Sequence, residues 1–151
     1  MKKLIVLLVM LCHLAPVLQA YDGMQQNRLS REEFRAKQQA YITEKAGLTG
    51  DEAAKFFPVY FELQDQKKKL NDEAWKLLRK GKQENISEAV YGDILKGVYK
   101  ARIEAEKLDQ TYLEKFKRIL PYKKIYKVLQ AEMHFHRELL RSMRQRGKNG
   151  K

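Results

Sequence analysis

One apolar repeat leaves this chain few folds to choose from. Phe56, Tyr60, Leu63, Lys67, Leu70, Ala74 and Leu77 recur at alternating spacings of four and three. That is the seam of a helix packed lengthwise on another helix, with a lysine standing at one seam position. The segment opens with a helix-start signature. Thr49 is placed to cap, and Glu52 three residues on completes a capping box. Leu48 is placed to staple onto Ala53. Asp51 and Glu52 put negative charge where the helix dipole favours it. The spacing predicts a helix from about Thr49 to Lys80, roughly 45 Å long at 1.5 Å per residue. Pro58 falls inside it, removes a donor and crowds the carbonyl of Ala54, so a kink is expected there. The period continues in phase across it, which favours one helix over two.

The flanking sequence supplies the partners. Ser30 and Glu33 form a second capping box at the head of a helix running to Ala46, and Gly47 ends it. Its apolar face is thin: Phe34, Tyr41 and Ile42. After a polar turn at 81–86, Asn85 or Ser87 caps a third helix reaching about Leu120. Its seam is Val90, Ile94, Val98, Ala101, Ala105, Leu108, Tyr112, Phe116 and Ile119. Gly92 and Gly97 each lower its helix propensity by about 1 kcal/mol relative to Ala. Pro121 suits the first turn of a fourth helix to about Arg146. Its inward face is expected to be Tyr122, Ile125, Val128, Leu129, Phe135, Leu139, Leu140 and Met143. No strand pattern appears. The expected fold is all-α: four helices joined by short turns with neighbours antiparallel, the two long ones forming an elongated hairpin.

The first twenty residues read as an export signal. Lys2 and Lys3 precede the apolar run LIVLLVML, which is short for a bilayer span, and cleavage after Ala20 fits. Cys12 raises a lipoprotein alternative. The bulky Leu11 before it argues against that, since a small residue normally precedes a lipid-modified cysteine. The division is therefore 1–20 leader, 21–29 loose N-terminus, 30–146 helical domain and 147–151 basic tail. The leader holds the only cysteine, so an exported domain has no disulfide and relies on helix packing. The charge of +12 would suggest nucleic acid in a cytosolic protein. Export turns attention to acidic unfolded chains, membrane surfaces or lipopolysaccharide. The same charge also serves simply to solubilise an elongated helical protein.

The residues Leu48, Thr49, Glu52, Ala53, Phe56, Pro58, Val59 and Tyr60 follow the pattern LT-x-x-E-A-x-x-F-x-P-V-Y. With the leader and the all-helical layout, they resemble the Spy/CpxP, or LTXXQ-motif, family of periplasmic proteins, in the variant typical of Bacteroidetes. In the family a second copy of the motif opens the last helix. The corresponding place is Leu120 to Lys124, where Pro121 replaces Thr and Lys124 replaces Gln. The first copy carries Glu52 in place of Gln. The resemblance implies a thin, curved homodimer of long helices. It also implies an ATP-independent chaperone or an envelope-stress accessory that binds partly unfolded proteins or a membrane-bound stress regulator. The alternative it implies is a metal-responsive sensor acting with such a regulator. A structural protein attached to the anionic envelope is a third reading.

Two constellations are candidate sites. The second helix carries more apolar surface than one seam needs: Phe57, Phe61 and Trp75 form a further stripe rotated by about 100–140°. Leu95, Tyr99 and Leu113 do the same on the third helix. With Lys68 and Arg79 nearby, Phe57, Phe61, Trp75, Lys68, Leu95 and Tyr99 are client-binding candidates, since apolar patches rimmed by cations suit promiscuous binding. They serve equally as a dimer interface, or as surface covered by the first and fourth helices. On the fourth helix His134 and His136 point about 160° apart and cannot chelate one ion together. Glu132 and His136 share a face, but two ligands are too few for a closed zinc site. A buried hydrogen-bonded pair is expected instead. Carboxylates are scattered and Ser30 and Ser87 act as caps, so neither an enzyme nor a cofactor is expected.

Overall fold

The computed structural model describes residues 30–149. The leader, its cleavage site, Cys12 and the loose N-terminus lie outside them. The chain divides at Lys37 into two units, and of the first only residues 30–37 are described. Among the described residues four helices follow in order: α1 (Arg31–Ala46), α2 (Gly50–Lys80), α3 (Glu88–Phe116) and α4 (Tyr122–Asn149). No strand occurs among the described residues. The fold is all-α.

Local chemistry sets each boundary. Ser30 Oγ accepts from the Glu33 N–H while Glu33 accepts from the Ser30 N–H, which starts α1. Gly47 ends α1 at φ +66°. The Gly47 and Leu48 N–H groups return to the carbonyls of Glu44 and Thr43, the paired bonds of a Schellman ending. Thr49 and Glu52 make the second capping box, with bonds of 3.2 and 2.8 Å. α2 is continuous through Pro58. Of the two cap candidates for α3, Ser87 takes the role and accepts from the Val90 N–H. Asn85 instead supplies the left-handed residue of the turn, at φ +62°. α3 stops at Phe116, four residues before the expected Leu120, and a tight turn delivers Leu120 into the core. The Pro121 carbonyl accepts the first N–H bonds of α4, from Lys124 and Ile125. α4 runs on through Gly147 to Asn149, so most of the expected basic tail is helix.

α2 and α3 form an antiparallel hairpin. Glu62 meets Lys115, Gln66 meets Tyr112, Lys67 meets Asp109, and Leu77 meets Gly97. As one number rises the other falls, which fixes the register. Most of the seam lies where the spacing places it: Phe56, Tyr60, Leu63 and Ala74 of α2 are buried, as are Ile94, Val98, Ala101, Ala105, Tyr112 and Phe116 of α3. Val90, expected to open the α3 seam, is exposed in the first turn of the helix instead. Glu52–Lys124 and Gln64–Glu132 contacts run α4 in the same direction as α2.

The interior is split into two clusters. The larger holds Phe56, Phe57, Tyr60, Leu63, Tyr112 and Phe116 with Ile42, Ala46, Val128 and Ala131 of α1 and α4. The smaller, nearer the α2–α3 turn, holds Ala74, Ile94, Val98 and Ala101. Between them Lys67 reaches across the seam to Asp109. A charged layer therefore interrupts the apolar one. It contributes little net energy at a half-exposed site, but it disfavours sliding of the helices by a turn. At Gly97 an added Cβ would lie 2.6 Å from Leu77 Cδ1, so this glycine permits the close approach of the smaller cluster.

Candidate functional site

The candidate site follows from how an antiparallel pair turns its side chains. Trp75 follows the seam residue Ala74, Leu95 follows Ile94, and Tyr99 follows Val98. A step of one residue rotates each side chain by about 100° away from the seam. In antiparallel helices those rotations bring both sets to the same face of the pair. Trp75 is 63% exposed, Leu95 52% and Tyr99 57%. Tyr91 and Ile103 extend the α3 row at spacings of four and are also exposed. The result is an apolar strip from Tyr91 to Ile103 on α3 with Trp75 beside it on α2. The Arg102 guanidinium lies 5.6 Å from the centre of the Tyr99 ring, and Lys68 and Arg79 are exposed on α2.

The same face is covered at the other end of the hairpin, and this corrects two of the expected client residues. Phe57 is 2% exposed and sits in the larger cluster with residues of α1 and α4. Phe61 packs half-buried against that cluster and stacks near Phe57 and Tyr60. They follow their seam residues as Trp75 does, but α1 and α4 lie over this half. Lys68 is exposed and forms an ion pair with Asp72 four residues on. The structure therefore brings Trp75, Leu95 and Tyr99 together at the surface, buries Phe57 and half-covers Phe61. Sequence reasoning passed over Tyr91 and Ile103, although their spacing of four from Leu95 and Tyr99 is the signal for them. Leu48, Thr49, Glu52 and Pro58 shape the start of α2 and take no part in this strip.

Where α4 lies over α2 and α3, a cavity of about 450 Å³ remains, lined by Phe56, Leu63, Leu113, Phe116, Ile125 and Leu129 among others. A polar chain runs beside it. Buried Gln38 donates to the Tyr60 hydroxyl at 3.0 Å, and Gln64 donates to Glu132 at 3.0 Å. Burial first, then the Glu132 carboxylate, holds the Tyr60 hydroxyl far above its ordinary pKa, so it stays protonated. This corrects the expected buried Glu132–His136 pair. The two are 3.9 Å apart, beyond hydrogen-bond range, and the His136 side chain is exposed. Glu132 accepts from Gln64 instead. Among the described residues no three His, Cys, Asp or Glu side chains converge on a point where a metal would sit.

The inward face of α4 is also narrower than its period implied. Val128 and the unanticipated Ala131 are buried, while Ile125, Phe135 and Leu139 are half-buried. Tyr122, Leu140 and Met143 face solvent, and Leu129 stands more than half exposed at the edge of the cavity.

No family model matches the chain, and neither a curated protein nor a solved structure matches it.

Proposed function

We propose that this chain is a Spy/CpxP-like binding protein of the periplasm that holds partly unfolded envelope proteins without a nucleotide. The observation that carries the reading is the uncovered strip of Tyr91, Leu95, Tyr99 and Ile103 with Trp75 beside it. It continues the face that α1 and α4 cover elsewhere. A contiguous uncovered apolar strip of this kind marks a surface for protein partners. Cations at its edge, Arg102 among them, speed encounter with acidic chains, and the aromatic residues slow release. Binding through a shallow strip is weak enough to let a client leave and fold. The resemblance of Leu48 to Tyr60 to the LTXXQ-type helix start supports the same class of activity and an address outside the cytoplasm.

The test is suppression of aggregation of an unfolding protein by the purified chain at stoichiometric concentration, without ATP. Leu95→Ser with Tyr99→Ser should weaken suppression at least severalfold while the helical circular dichroism stays unchanged, because both side chains are exposed. A double variant as active as the parent moves the client surface elsewhere. A parent chain with no activity removes the chaperone reading.

A further inference from the structure

A second uncovered face, on α4, has a different chemistry. Tyr122, Tyr126, Leu129, Met133, Leu140 and Met143 are each more than half exposed. They succeed one another at spacings of four, three, four, seven and three, which keeps them on one side of a helix. From first to last they form an apolar strip roughly 30 Å long. Alongside it Lys123, Lys127, Arg137, Arg141 and Arg144 are exposed, and none has an ion-pair partner among the described residues. The helix carries only two carboxylates, and both face the body of the protein. Glu132 accepts from Gln64 and Glu138 accepts from Tyr41. Among the described side chains Lys124 turns inward and pairs with Glu52. The outward arc of α4 is thus apolar on one side, cationic on the other, and free of negative charge.

That arrangement selects among occupants. A second copy would cover the strip but set a row of cations against the same row. A nucleic acid would match the cations and leave the strip in water. A lipid surface satisfies both: apolar side chains enter the boundary between headgroups and acyl chains, and lysines and arginines remain among the phosphates. Tyrosines at 122 and 126 suit that boundary, with ring inside and hydroxyl in the headgroup layer. No helix among the described residues is long and apolar enough to cross a membrane, so contact would run along the surface.

We infer that the outward face of α4 docks on an anionic phospholipid surface, with the strip from Tyr122 to Met143 inserted and the cations from Lys123 to Arg144 in the headgroup layer. This goes beyond client binding and uses a different face. It would hold the α2–α3 strip near the membrane without a covalent anchor.

Vesicle flotation of the full chain tests it, with phosphatidylglycerol-containing and pure phosphatidylcholine vesicles compared at low and high salt. The expected result is partitioning onto the anionic vesicles well above that onto the neutral ones, weakened by salt. Arg137→Gln, Arg141→Gln and Arg144→Gln together should reduce that partitioning about a hundredfold, at about fivefold per charge. Met133→Glu with Leu140→Glu should abolish it. Circular dichroism keeps folding separate from binding, and the charge variant stands alone should the second misfold. Equal partitioning onto both vesicle types, or variants that float like the parent, overturns the proposal. So does a chain that ignores vesicles but forms a dimer in solution that the Met133→Glu, Leu140→Glu variant cannot form; that outcome gives the face to a second copy.

Discussion

The carboxylate of Glu52 is held by two helix starts at once. It accepts from the backbone of Thr49 at the head of α2 and forms an ion pair with Lys124 in the first turn of α4. Two residues 72 positions apart in sequence are therefore partners in space. The Lys124 ammonium first, and the Thr49 N–H second, hold the Glu52 carboxyl below its ordinary pKa.

A pH dependence follows. A carboxylate with a depressed folded pKa contributes stability that is fully present above its unfolded value, near 4.3, and lost as pH falls through the folded value. The unfolding temperature should therefore fall as pH drops below roughly 5. In Glu52→Gln that fall should be shallower, since glutamine still serves the capping box but carries no charge. An unchanged slope would mean that the pair with Lys124 is not formed in solution. Thr49→Ala removes the cap itself and should cost about 1 kcal/mol at any pH.

The covered and uncovered ends of one face predict opposite mutational costs. Phe57→Ala empties a space in the larger cluster and should cost about 3–5 kcal/mol in urea unfolding. Trp75→Ala, at a largely exposed side chain, should stay within about 0.5 kcal/mol. Similar costs at the two sites would contradict the assignment of α1 and α4 to only one end.

This contrast also marks how far the sequence is legible. The seams of α2 and α3 could be read because a four–three period has one physical meaning, a line of contact with another helix. The caps at Ser30, Thr49 and Ser87 could be read because few side chains satisfy exposed N–H groups. The extra stripe was visible too, but Phe57 and Trp75 are equivalent on a helical wheel. Only tertiary packing decides which of them another helix covers. The outward residues of α4 were expected inward for the same reason. Leu129, Leu140 and Met143 keep a helical period with Tyr122, and periodicity does not say whether the covering surface belongs to the same chain. Glu132 and His136 were rightly placed near one face. Gln64, distant in sequence, captured the glutamate.

Two glycines of α3 should respond differently to alanine. An added Cβ at Gly92 meets nothing within 4 Å, so Gly92→Ala should stabilise by roughly 0.5–1 kcal/mol through helix propensity. At Gly97 the Cβ would collide with Leu77, which faces it across the hairpin. Gly97→Ala should lose that gain. Combining it with Leu77→Ala should recover part of it, giving a non-additive cycle in chemical denaturation. Additive effects at Gly97 and Leu77 would show that the helices do not approach closely there.

Trp75 makes the proposed client strip directly observable. It is the only tryptophan of the chain, so its fluorescence reports one place. Its largely exposed indole should emit like tryptophan in water when the protein is alone. An unfolded client lying on Leu95 and Tyr99 would also shield Trp75, because the rotation from Ala74 carries it to that same face. Emission should then move to shorter wavelength in proportion to client bound. Higher salt should slow the change without abolishing it, since cations at the edge steer encounter while apolar contact holds the complex. Leu95→Ser with Tyr99→Ser should reduce the spectral change at a given client concentration. Aggregation suppression without any change at Trp75 would separate the activity from this strip and send the search for the client surface to α4.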